Sequence, residues 1–165
     1  MISRYFHTIR YLKLKQIYSR IWFYLSRPNL NKSPAPSLRT LKNNICLPIQ
    51  KEPTLLNENT FHFLNKSQSL LSIGWDDQNN TISKLWLYNL HYFDDLNAKE
   101  ATQRKEWHNQ ILHNWVNENV PCKGVGWEPY PTSLRIVNWI KWHLLGNKLP
   151  DYCIQSLALQ VRWLS

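Results

Sequence analysis

Apolar residues recur along much of this chain at the three- and four-residue spacing of one helix face, and the interruptions fall at proline, glycine and asparagine. Near the start, Leu14, Ile17, Tyr18, Ile21 and Leu25 keep that spacing, with Arg10, Lys13, Lys15 and Arg20 between them. Residues 1–27 are therefore expected to form a basic amphipathic helical segment. Residues 28–59 read as a connecting arm, since asparagine, serine and the prolines Pro34, Pro36, Pro48 and Pro53 oppose regular structure. Two short apolar runs, Thr60 to Leu64 and Ser69 to Ile73, flank the polar NKSQ and predict a small β-hairpin within residues 60–73. GWDDQNN then turns the chain. Lys84 to Phe93, KLWLYNLHYF, is expected to begin extended and to enter a short helix that stops near Asn97. Asn97 should cap the next helix, with Glu100 three residues on. Trp107, Ile111, Leu112, Trp115 and Val116 supply that helix with a buried stripe, and Pro121 and Gly124 end it.

The densest stretch is GWEPYPTSLRIVNWIKW, from Gly126 to Trp142. Proline in a first helical turn is pre-organised for a helix, so one is predicted to begin near Pro131. Ile136, Val137, Ile140 and Leu144 fall on one side of it, and Arg135, Asn138, Trp139 and Trp142 on the other. The expected arrangement has the aliphatic side as a buried back and the guanidinium, amide and indole side lining a cleft. GNKLPD stops this helix and starts a last one, which carries Ile154, Leu157, Ala158, Val161 and Leu164 on one face. No fixed-period repeat is present. Helices joined by short turns predict an all-α chain of stacked antiparallel pairs.

Composition narrows the function classes. The net charge is +9, but Met1 to Arg27 holds Arg4, Arg10, Lys13, Lys15, Arg20 and Arg27 and no acidic residue, which leaves the remainder only mildly basic and weakens a nucleic-acid reading. Nine Trp and eight Tyr are unusual in 165 residues, and flat aromatic faces serve both cores and sugar stacking. Cys46, Cys122 and Cys153 are odd in number and lack zinc-site spacing, so they read as structural thiols and no metal or cofactor is expected. No apolar run approaches a membrane span, and the burst from Ile21 to Leu25 is too short for a signal core. The expected compartment is cytoplasmic. The basic start has two readings, docking on the protein body or contact with an anionic membrane surface.

Two blocks, LWLYNLHYFDDL from Leu85 to Leu96 and WEPYPTSLRIVNWIKW from Trp127 to Trp142, carry a family likeness. They resemble the N-terminal domain of the heparinase II/III-like polysaccharide lyases. Weaker segments agree in order: TIRYLKLKQIYSRIWF, FHFLN, the Gly74 and Trp75 pair, and the last helix with Gln160. The resemblance implies an α/α toroid beginning near residue 60, an acidic polysaccharide as ligand, and a setting in the periplasm or cell envelope. It also implies β-elimination on uronic-acid polymers, in which an amide or cation neutralises the carboxylate and a Tyr or His takes the C5 proton. The family's catalytic Asn, Tyr and His match no position here and are expected beyond residue 165. The last helix keeps its register to Leu164 without a cap, so the chain is expected to be a truncated toroid, inactive alone and prone to self-association. Two rival classes are a non-catalytic carbohydrate-binding or scaffold protein and a basic peripheral membrane protein.

Four residues are the candidates for substrate binding. Arg135 and Asn138 suit carboxylate and hydroxyl groups; the competing reading pairs Arg135 with Glu128 and Asn138 with backbone. Trp139 and Trp142 offer stacking faces or core packing. Tyr88, His91 and Tyr92 form either an acid/base set or a structural aromatic cluster. His108 and His113, five residues apart, fall on different sides of their helix.

Overall fold

The chain divides into two units, Met1–Asn31 and Lys32–Ser165. The structure, a computed structural model, describes residues 13–25 (without the side chains of Arg20, Phe23, Tyr24 and Leu25), 30–39 and 49–165. Expectations for the rest of the basic start, for part of the arm and for Cys46 lie outside these residues. In the first unit α1 spans Leu14–Leu25, as the spacing predicts.

The second unit is mostly helical with a small antiparallel sheet of order β1-β2-β3: Leu55–Asn57, Thr60–Phe63 and Lys66–Ser69. The sheet corrects the predicted hairpin. Its turn falls at Leu64 and Asn65, both in the left-handed region, so NKSQ belongs mostly to β3, with Phe61 opposite Gln68 and Phe63 opposite Lys66. Left-handed residues at both central positions match the twist of flanking strands. Leu70–Ile73, expected as a strand, is a single helical turn, α2. Leu55, Phe61 and Phe63 turn inward, and the Phe63 ring meets the edge of Trp86 at 5.0 Å.

Lys84–Tyr92 is helical from its first residue (α3), because Ser83 Oγ accepts from the Trp86 amide and caps it. The extended beginning is thus corrected. Phe93 adopts a left-handed conformation and stops α3; two 3-10 turns, Asp94–Asn97 and Ala101–Arg104, lead into α4, Lys105–Glu118. Asn97 caps nothing, since its amide reaches across to α5 instead. A 3-10 turn, Val125–Trp127, precedes α5, Pro129–Leu144, and α6 is Asp151–Leu164. Glu128 is extended, as a residue before proline prefers, which sets the start of α5 at Pro129.

The main correction concerns which faces point inward. On α5, Arg135, Trp139 and Trp142 are sealed in the core, whereas Val137 and Ile140 are 46% and 39% exposed. On α6 the buried residues are Cys153, Ser156 and Gln160, while Val161 and Leu164 of the predicted stripe are 47% and 38% exposed. Indoles explain the choice on α5. A buried tryptophan removes far more apolar area from water than a valine, so a helix carrying both turns the indoles in. Trp139 meets Phe93 and Trp115 edge-on at 5.5 and 5.6 Å, and Trp115 lies 5.9 Å from Trp127. On α4 the expected stripe holds, with Ile111, Leu112 and Trp115 buried and Trp107 and Val116 half-buried.

Candidate functional site

Arg135 sits at the centre of this core, and among the described residues no carboxylate pairs with it. Its Nε donates to Gln160 Oε1 at 2.9 Å, one terminal nitrogen to the carbonyls of Gly126 and His91 at 2.8 and 3.3 Å, and the other to Thr132 Oγ1 at 3.3 Å. The guanidinium carbon lies 3.9 Å from the centre of the Trp115 ring, a cation–π contact. Burial pulls its pKa well below the ordinary arginine value. The expected alternative partner, Glu128, is engaged elsewhere, by Lys84 and the Tyr88 hydroxyl. Arg135 therefore joins α3, α4, α5 and α6 through carbonyl, amide and π acceptors, and has no face open to a ligand.

His91 is part of the same cluster. Its Nδ1 accepts from the Trp115 indole at 3.0 Å and its Nε2 lies 2.9 Å from the Trp75 carbonyl, which fixes a neutral ring with the proton on Nε2. Burial, and then the nearby Arg135 charge, lower its pKa from 6.5 to about 3. Gly126 closes over this ring: a Cβ there would lie 2.7 Å from His91 Cε1 and Nδ1. Because both ring nitrogens are held, His91 cannot swing aside. Gly126→Ala is expected to cost about 2 to 4 kcal/mol in urea unfolding; a loss below about 0.5 kcal/mol would show that the ring can move.

A second buried hub joins the sheet to α4. Asp95 accepts from the amides of Thr54 and Leu55, from Arg104 Nε at 2.9 Å and, at 2.7 Å, from His108 Nε2. Burial works to raise the Asp95 pKa, but these donors outweigh it and hold the carboxyl at about 2. His108 is fully buried and His113 exposed, so they do lie on different sides of α4. The Cys153 thiol is also buried, and burial pushes its pKa up to about 12.

Of the four predicted binding residues, Asn138 alone lines open space. Its Nδ2 donates to the Tyr92 carbonyl and Asp94 Oδ1 at 2.8 and 2.7 Å, and Asn97 Nδ2 donates to its carbonyl at 3.1 Å. With Lys51, Asp94, Asn97, Leu134, Val137 and Lys141 it lines a groove of about 170 Å³. Lys51 pairs with Asp94 at 2.6 Å, whereas Lys141 has no ion pair among the described residues. The buried Asn97 Oδ1 has no hydrogen-bond partner among the described residues.

Two groove residues, Leu134 and Val137, share one face of α5 with Tyr130. Tyr130, Leu134, Val137 and Lys141 fall within about 60° of one another around the helix, so they form one stripe. At its start the Tyr130 ring, on a residue 57% exposed, lies 6.0 Å from Tyr88 and 5.7 Å from Tyr92. The Tyr88 hydroxyl and Lys84 share Glu128, and Lys84 also lies over the Tyr88 ring. The hydrogen bond to Glu128, more than burial, raises the Tyr88 pKa; burial and then Tyr130 raise that of Tyr92 to about 12.

Sequence reasoning named Asn138 but missed Lys141, Asn97 and Tyr130. The stripe from Tyr130 to Lys141 was readable from helical spacing, whereas Asn97 was misread as a cap. The Asp95 hub had no local signal, since its partners lie 9, 13, 40 and 41 residues away. No described helix is long and apolar enough to cross a membrane. No protein-family model matches the chain, and neither a curated protein nor a solved structure matches it.

Proposed function

We propose that this chain is an N-terminal part of an α/α-toroid polysaccharide lyase of the heparinase II/III-like type, and that the seam beside α5 holds an acidic polysaccharide without cleaving it. The observation that carries the reading is the continuous stripe from Tyr130 to Lys141. It runs about 16 Å at 1.5 Å per residue, enough for several sugar units. Both motif blocks behind the family resemblance contribute to it or border it: Tyr88 and Asp94 from the first, Tyr130, Leu134, Val137, Asn138 and Lys141 from the second. The exposed Tyr130 ring suits the apolar face of a sugar, and Lys141, with no ion pair among the described residues, is a cation for a uronate.

Holding without cleaving follows from the proton chemistry. β-Elimination needs a base that takes the C5 proton near neutral pH. Tyr88 and Tyr92 are both shifted upward, the wrong direction for a phenolate base. His91 and His108 are fully buried, and His143 lies on the opposite side of α5 from the stripe, its Nδ1 accepting from the Leu149 amide.

Affinity electrophoresis through gels containing alginate, chondroitin-type or heparan-type polymer tests both halves. Retardation is expected in at least one gel, and Lys141→Ala and Tyr130→Ala should each weaken it about tenfold or more, the size of one charge-assisted contact. The same mixtures should show no rise in the ultraviolet absorbance of an unsaturated uronate. Absence of retardation in every gel sinks the binding surface; an enzyme-dependent absorbance rise sinks the claim that it does not cleave.

A further inference from the structure

The first unit carries a surface of different chemistry. On α1, Leu14, Tyr18, Ile21 and Trp22 fall within about 100° of the helix circumference, and they are 85%, 63%, 54% and 56% exposed. Ile17, half-buried, extends the same stripe. The Tyr18 and Trp22 rings stack at 6.0 Å with 20° between their planes, which gathers the aromatic surface at one edge. Lys15, Gln16 and Ser19 occupy the remaining circumference and are exposed. One exposed leucine would need no explanation, but several large apolar side chains in one stripe form a patch that water disfavours.

We propose that α1 lies in the interface of an anionic lipid bilayer with this stripe facing the acyl chains. Charge selects that occupant: from Met1 to Arg27 the sequence holds Arg4, Arg10, Lys13, Lys15, Arg20 and Arg27 and no acidic residue. The partner must therefore be negative and apolar over the same area, which an anionic bilayer is. An acidic polysaccharide meets the charge but not the stripe. Tyrosine and tryptophan are the residues whose part-polar rings settle at headgroup depth. A helix of 12 residues spans about 18 Å, too little to cross the hydrocarbon core but suited to lying along it.

Co-sedimentation of the full chain with phosphatidylcholine vesicles, with and without phosphatidylglycerol, tests the proposal. Binding is expected only with phosphatidylglycerol, and it should weaken as salt rises. Lys13→Ala with Lys15→Ala should reduce partitioning about thirtyfold, since each basic residue at an anionic surface contributes roughly fivefold. Ile21→Glu with Trp22→Glu should abolish it. Both residues are exposed, so the double variant should keep the far-ultraviolet circular dichroism of the parent. Failure to pellet with anionic vesicles overturns the proposal, as does equal pelleting of the Ile21→Glu, Trp22→Glu variant. Loss of polysaccharide binding in that variant, with vesicle binding intact, would reassign the surface to saccharide and overturn it too.

Discussion

Arg135→Ala is expected to lose about 4 kcal/mol or more in urea unfolding, a large share of the roughly 5 to 15 kcal/mol that holds a domain together. The substitution strands the Gln160 amide oxygen and the His91 carbonyl, which accept from the guanidinium, and leaves the Gly126 carbonyl with the Thr132 hydroxyl alone. Each buried acceptor left without a donor costs about 1 to 3 kcal/mol, and the emptied volume adds a cavity cost. Arg135→Met restores most of the volume but none of the donors, and should fall between the alanine variant and the parent. Arg135→Lys should remain destabilised, because an ammonium cannot present the flat fork that reaches Gln160, Gly126 and Thr132 together. An alanine variant within about 1 kcal/mol of the parent would mean that the cluster is dispensable, and would reopen Arg135 as a ligand-binding group.

Acid should weaken the fold well before the carboxylates titrate. His91 is held neutral in the native state, with its pKa lowered from 6.5 to about 3. An unfolded chain takes up that proton near pH 6.5 while the folded chain refuses it. The stability it contributes is therefore complete above pH 6.5 and is lost as the pH falls from 6.5 toward 3. At about 1.4 kcal/mol per pH unit the loss reaches roughly 4 to 5 kcal/mol. Below pH 3.8 a second loss begins as Asp95, held at about 2, is protonated more readily in the unfolded chain. Urea midpoints measured from pH 8 to pH 4 should stay level to about 6.5 and then fall. A flat profile between 6.5 and 4 would refute the sealed, neutral His91.

The positions of the helices were legible in the sequence, and their inward faces were not. Turn residues and apolar spacing announced α1, α4, α5 and α6, and on α4 the predicted stripe is buried because its indole and aliphatic positions coincide. On α5 they are opposed, and the expectation ranked isoleucine and valine above a face containing arginine and asparagine. Arg135 could be recognised as a core residue only by knowing its acceptors, and these lie 9, 25 and 44 positions away. The α6 face misled in the same way, since Gln160 is buried to receive Arg135. At the candidate site, Asn138 was found because amide and helical position were both visible. The pairing of Lys51 with Asp94 at the same groove was not, because the two lie 43 positions apart. The hairpin went astray by its turn alone, with Leu64 and Asn65 taking a conformation that leucine seldom adopts.

The spread of Arg135's acceptors also sets an order of events during folding. Helices α3, α4 and α5 are all complete before Gln160 has been synthesised, yet the guanidinium they enclose lacks its Nε acceptor until α6 arrives. Closing the core any earlier would trap a cation with an unmet donor, so the early helices gain little by docking among themselves. Contacts between distant positions are rewarded only after the chain entropy of bringing them together has been spent. The second unit should therefore assemble in one step once α6 is available, with α6 completing the Arg135 cluster rather than adding to a finished core.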